Sequence, residues 1–256
     1  MDPATLIGFA VSVVALFVFM ILEGVSPTAL IFLPAIVLVI IATFGAAAAS
    51  QTMDDLKKVG SWFKMAVLPA KVPPPTEQIQ TLVTLAEKAR KEGLLALEAQ
   101  VKAIEDPFLK RGLQMGIDGT DPEELRAVLE SEIAARKAED KVAAKFMTAM
   151  GGYAPTIGIV GCIVGLMNVM GSLSNPEALG PMIAAAFVAT LWGVMAANFW
   201  FLPMGAKILR VSELQAAQME LLVEGISEIQ AGTSPRAVRL KLTSLVPPGS
   251  VAKEAA

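Results

Sequence analysis

The sequence contains no histidine, one cysteine (Cys162) and one tyrosine (Tyr153). A lone thiol without histidine excludes a disulfide framework and a soft-metal cluster. The phosphate-loop, H-E-x-x-H, C-x-x-C and G-x-S-x-G motifs are also missing, so neither enzyme chemistry nor a cofactor is expected. Charge is scarce as well. Asp, Glu, Lys and Arg make up 18% of the chain against 54% hydrophobic residues. Residues 3–22, 24–53, 146–176 and 178–206 carry no charge at all. A membrane-spanning helix needs about 20 apolar residues to cross a hydrocarbon core of roughly 30 Å, and each gap suffices. Core helices of soluble proteins seldom stay charge-free for so long, which argues against a soluble domain. The net charge of −3 says little about partners; no nucleic-acid partner is expected.

What is present is an all-α membrane protein, with four transmembrane helices and a helical cytoplasmic domain between spans two and three. The first gap lacks the basic flank and small-residue cleavage site of a signal peptide, so it reads as a span. Glu23 closes it, and "EGVSPT" turns the chain into a second helix in which Pro34 is expected to make a kink. All 21 Lys and Arg lie in two segments, 15 between residues 50 and 150 and six after residue 206. By the positive-inside rule both segments and the N-terminus are cytoplasmic. The expected division is a transmembrane hairpin over 1–49, a cytoplasmic helical region over 50–145, spans three and four over 146–206, and a cytoplasmic helix and tail over 207–256.

Within the cytoplasmic region, "SQTMDDLKKVGSWFKMAVL" (50–68) reads as an amphipathic helix lying on the membrane surface. "PAKVPPP" (69–75) reads as a stiff linker. Beyond it, Ile79, Leu82, Val83, Ala86 and Ala89 recur at helical spacing, and Gly93 marks a break. Asp121, Pro122, Glu123 and Glu124 form the clearest helix start in the chain: a cap, a proline suited to the first position, and acids at the positive end of the dipole. No stop signal follows before Gly151, so one helix is expected from about 122 to 173, roughly 75 Å long at 1.5 Å per residue.

The third span holds Pro155 and glycines at 158, 161 and 165. Gly161 and Gly165 form a G-x-x-x-G pair, and the fourth span adds a small-residue face at Ala184, Ala185, Ala189, Gly193, Ala196 and Ala197. Such faces let helix backbones approach closely where no hydrophobic drive exists between helices. Polar members are few: Thr156, Cys162 and Asn168, then Thr190 and Asn198. A proton or cation relay needs an ionisable group at membrane depth, and none lies inside a span. If ions pass, another chain supplies the carboxylate.

"YAPTIGIVGCIVGLMNVMGSLSNPEALGPMIAAAFVATLWGVMAANFWFLP" (153–203) resembles the paired third and fourth spans of the MotA family, the flagellar motor stator subunits. "EKARKEGLLALE" (87–98) resembles that family's rotor-contacting segment, with Arg90 and Glu98 at the matching positions. The functional prolines of the family match Pro155 and Pro203, and its pore-facing threonine matches Thr190. Trp192 stands where many members have tyrosine. The resemblance implies a homo-oligomer, a pentamer, in the bacterial inner membrane around a dimer of a MotB-type single-span partner whose aspartate carries the ion.

It further implies an ion path lined by Pro155, Thr156, Gly158, Cys162, Ala189, Thr190 and Pro203. Gly161, Gly165 and Gly193 serve helix packing, and the glycines of the third span allow close approach of subunits. Arg90 and Glu98 push the rotor switch protein FliG; their i,i+8 spacing puts both near one side if the helix continues through Gly93. Sodium-driven members carry threonines at the places matching Cys162 and Ala189, so the thiol and methyl here favour protons. Two other readings stay open: an energiser of outer-membrane processes of the ExbB/TolQ type, which usually has three spans, and a non-conducting membrane scaffold.

Overall fold

The structure, a computed structural model, describes residues 2–70 and 72–247, so any tail beyond Pro247 lies outside the described residues. It is all-helical, with no strand among the described residues. The α-helices are α1 (Pro3–Leu22), α2 (Leu33–Ala48), α3 (Met53–Val67), α4 (Pro75–Glu92), α5 (Glu98–Ala103), α6 (Pro107–Ile117), α7 (Pro122–Met170), α8 (Pro176–Met195), α9 (Leu202–Gln230) and α10 (Pro235–Ser244). A π-helical turn, Ala196–Phe201, joins α8 to α9 without a break. Among the described residues, three helical runs are long and apolar enough to cross a membrane: α1, α7 and the run Pro176–Gln230. The apolar α2 is shorter, at 16 residues.

Proline sets many of the helix starts, because its missing N–H costs nothing where no intrahelical acceptor exists. Pro3, Pro75, Pro107, Pro122, Pro176 and Pro235 all sit in a first turn. Asp121 accepts from Glu123 N–H at 2.9 Å and from Glu124 N–H at 3.3 Å, which is the expected cap of α7. The expectation for Pro34 is corrected. It is the second residue of α2, not a kink within a longer helix, because the chain first makes a 3-10 turn at Pro27–Leu30. The Trp192 indole donates to the Leu30 carbonyl at 2.8 Å and fixes that turn from across the sequence.

The chain divides into two compact units, one from residues 1–70 and 140–210, the other from residues 71–139 and 211–256. In the first, Phe146, Met147 and Met150 of α7 pack with Val39 of α2, Trp62 and Ala66 of α3, and Ile208 of α9. The Trp62 and Phe146 ring centroids lie 5.5 Å apart. Helix α3, capped by a reciprocal Thr52–Asp55 box, thus shares a core with the apolar helices rather than with the rest of the 50–145 segment. By contrast α1 buries only Met20.

In the second unit, Leu82, Leu97, Leu125, Leu129, Leu222, Ile226 and Leu242 bring α4, the Leu94–Leu97 turn, α7, α9 and α10 around one core. Gly93 ends α4 at φ 86, a left-handed conformation that favours glycine, so the expected break is where the sequence puts it. Over this core sits an ionic cluster. Arg126 of α7 reaches Glu224 of α9 at 2.5 Å, and Lys241 of α10 reaches both Glu224 and Glu228. Burial pushes the Glu224 carboxyl up, but hydrogen bonds from Lys241 and Arg126 outweigh it and hold the group below its usual range. The Lys241 bond likewise lowers Glu228, and Lys241 itself is raised by its two carboxylate partners.

Lowered carboxyl values add stability that is fully present above the ordinary value of 4.5 and is lost as pH falls through the lowered folded values. The raised Lys241 keeps its contribution across neutral pH and loses it only in strong alkali. Replacing Glu224 by Gln leaves two cations with one fewer anion and is expected to cost about 1–2 kcal/mol at neutral pH. Thermal unfolding of wild type and Glu224→Gln should differ by several degrees at pH 7 and converge well below pH 4.5. A difference that persists unchanged in acid would rule out the ionic origin.

Candidate functional site

The residues singled out on α7 and α8 meet in a seam of backbone contacts. A Cβ placed on Gly158 would lie 2.8 Å from the Ala189 carbonyl oxygen and 3.1 Å from the Thr190 Cα. One on Gly193 would lie 2.5 Å from the Ala154 carbonyl oxygen and 3.2 Å from the Pro155 Cα. A Cβ on Gly165 would lie 2.7 Å from the Ala186 Cβ, and one on Gly161 would lie 2.9 Å from the Ala189 Cβ and 2.8 Å from Leu38 of α2. The same seam continues onto α9, where Gly205 faces Thr148 and Ala144 of α7. Only glycine fits where the next backbone is this near. The glycines at 158, 161 and 165, expected to allow approach of a neighbouring subunit, face α8 and α2 within this chain. A small-residue stripe specifies how close a partner comes, not which helix it is.

Two prolines bracket the seam. Pro155 has no N–H, so the Gly151 carbonyl one turn earlier lacks its helical donor. Pro203 follows the π-helical turn, in which the Leu202 N–H bonds Ala197 five residues back. Pro203, which has no N–H to donate, thus comes directly after a turn whose hydrogen bonding departs from the α pattern. The turn is packed by aromatics: Trp200 lies 5.8 Å from Trp192 and 5.7 Å from Phe9 between ring centroids. Nothing in the sequence but Pro203 itself signals it.

The proposed path-lining residues divide by exposure. Gly158 and Ala189 are buried in the seam, and Pro155, Cys162 and Thr190 are half-buried. Thr156 and Pro203 are exposed. The Thr190 hydroxyl sits 3.4 Å from the Gly158 carbonyl, a long contact, so this oxygen retains capacity for another partner. Thr156 donates to the Tyr153 carbonyl at 2.8 Å. Cys162 is a free thiol. Pro155, Gly158, Ala189, Thr190 and Gly193 therefore form one group on two helices.

Arg90 and Glu98 sit elsewhere, and their expected common helical face is corrected. Arg90 is in the last turn of α4 and Glu98 begins α5, with Gly93 and a 3-10 turn between them. Lys102 donates to Glu98 at 2.9 Å and holds its carboxyl below the usual range. Sequence reasoning also missed the pair Lys207–Asp2 at 3.1 Å. The Asp2 N–H further donates to the Val67 carbonyl at 3.0 Å, so the start of α1, the end of α3 and the start of α9 come together.

Residues 100–221 match the model of the MotA/TolQ/ExbB proton channel family. The chain is 35% identical to Motility protein A of Bacillus subtilis over 96% of its own length and 92% of that protein. It is 34% identical to Motility protein A of Borreliella burgdorferi, covering 97% and 95% of the two chains. Its structure superposes on a chain of the C. jejuni MotAB structure with a TM-score of 0.93, at 30% identity and 97% coverage of both. For the flagellar MotAB stator complex of Bacillus subtilis the TM-score is 0.92, at 35% identity and 98% coverage of both.

The seam generates a direct test. Gly193→Val drives a methyl into the Ala154 carbonyl, a backbone atom that cannot swing aside, and should cost about 1–3 kcal/mol or more. Gly152→Ala on α7, with nothing within 4 Å of the new methyl, should be neutral or stabilising. Thermal unfolding in detergent measures both, and equal stability of the two variants would deny the seam its role.

Proposed function

This chain belongs to the MotA/TolQ/ExbB proton channel family, and from that premise we propose that it is a flagellar stator subunit that couples inward proton flow to torque on the rotor. The observation that carries this reading is likeness over nearly the full length to MotAB chains, extending through the second unit as well as the apolar helices. In this reading there are four spans, α1, α2, the second half of α7 and the α8 run; an even number keeps both termini on one side, and the Lys and Arg outside the spans favour the cytoplasm. The joining of Asp2, Val67 and Lys207 supports this, because it puts one end of α1, α3 and α9 on the same side.

No Asp, Glu, Lys or Arg occurs in residues 146–176 or 178–206, so the ion-carrying carboxylate comes from a MotB-type single-span partner, present as a dimer inside a pentamer of this chain. The Thr190 hydroxyl and the Gly151 carbonyl left by Pro155 are the groups this chain offers to that carboxylate and its water. Sodium requires several hard oxygen ligands in exchange for its hydration shell. Here the Ala189 methyl is buried against α7 and Cys162 supplies only sulfur, so a proton is the cargo. One charge falling through roughly 150 mV releases about 3.5 kcal/mol, several times RT, enough to bias a rotational step. Arg90 and Glu98 act on FliG through charge, at two ends of the Gly93 turn.

Two measurements test this. Rotation of tethered cells should stop with a protonophore and ignore external sodium at fixed pH; speed that follows sodium and survives the protonophore would exclude the proton. Charge reversal at Arg90 or Glu98 should reduce swimming severalfold without loss of membrane assembly, and an opposite reversal on the rotor should restore it. Unimpaired swimming with both reversed would leave them an ordinary solvated surface.

A further inference from the structure

We infer that the groove between α1 and the α8–α9 junction is a phospholipid site, and that Thr5 and Lys207 at its mouth, with Asp2 paired to Lys207 beside them, select a zwitterionic, amine-bearing headgroup. The inference rests on the four-span reading above. The groove has a volume of about 540 Å³, within the range of small-molecule sites. From Ala4 to Ser12 it follows α1 for about 12 Å at 1.5 Å per residue, comparable to one leaflet of hydrocarbon.

Gly8 makes this space. Unlike the seam glycines, it has nothing within 4 Å of where a side chain would begin, so no helix of this chain packs against it. Glycine within a helix costs about 0.5–1 kcal/mol relative to alanine. The walls are apolar, from Phe9, Trp200 and Met204. The two polar side chains along the groove each donate back to their own helix: Ser12 to the Gly8 carbonyl and Asn198 to the Val194 carbonyl, both at 2.9 Å. A polar or peptide ligand would find few free partners in the body of the groove, whereas an acyl chain needs none.

The mouth is different. Lys207 and Asp2 pair at 3.1 Å with side-chain exposures of 17% and 25%, and Lys207 also donates to the Thr5 hydroxyl. An ammonium has three donors, so one N–H remains for a phosphate oxygen. The Asp2 carboxylate accepts from the Ala4 N–H and from Lys207, and its remaining lone pairs suit a primary ammonium. A phosphoethanolamine headgroup therefore complements both charges. A purely anionic head would leave one negative charge uncompensated beside Asp2, and a choline head has no N–H to donate.

The test is native mass spectrometry of the assembled complex released from vesicles of equal phosphatidylethanolamine, phosphatidylglycerol and phosphatidylcholine. Wild type should retain phosphatidylethanolamine, up to one per copy of this chain. Gly8→Phe fills the groove without touching the seam and should reduce retention about tenfold, equivalent to losing about 1.4 kcal/mol. Asp2→Asn leaves Lys207 unpaired and should shift retention toward phosphatidylglycerol. Absence of retained lipid in wild type, indifference to headgroup, or undiminished retention in Gly8→Phe would each overturn the site. Swimming of the same strains keeps the two readings apart: motile cells whose complexes hold no lipid lose the site but not the stator function, and lipid-bearing complexes in non-motile cells do the reverse.

Discussion

Contact between two backbones, with no side chain between them, is the constraint on which the first unit depends. At Gly158 and Gly193 the main chains of α7 and α8 approach until even a methyl group is excluded. Hydrocarbon tails are as apolar as leucine, so helices gain little from burying apolar surface against each other in a bilayer. Close packing and weak polar contacts must hold them instead. That same approach brings the Pro155 backbone against Gly193 and sets the Thr190 hydroxyl over the Gly158 carbonyl. The groups proposed to meet an ion are thus positioned by the contact that holds the helices together.

The second unit is built by the opposite rule. Its helices bury leucine and isoleucine, and its charges pair across elements, as in Arg126–Glu224–Lys241. Residues 146–176 and 178–206 hold no charge, so under the proposed stator role the ion-carrying carboxylate comes from outside the chain.

Local signals were legible in the sequence and long-range ones were not. Asp121 and Pro122 fix a helix start through atoms within three residues, and Gly93 ends a helix through its own φ; both stand where the sequence puts them. Pro34 could not be read correctly, because its place depends on a turn tied to Trp192, 162 residues from Leu30. The glycines of the third span were legible as a close-contact face, but their partner was not. Arg90 and Glu98 seem aligned only when 3.6 residues per turn is carried across Gly93, whose φ of 86 breaks the count.

The π-helical turn between α8 and α9 makes chain length itself a structural quantity. A π turn holds about one residue more than an α turn, and each α-helical residue advances the helix by roughly 100°. Removing a single residue from 196–201 would therefore let this stretch close as an ordinary α turn, with everything after it at nearly the same angle. Gly205 would still face Ala144, and Lys207 would still meet Asp2. The same deletion later in α9 has no surplus residue to absorb it and would rotate the rest of the helix by that angle.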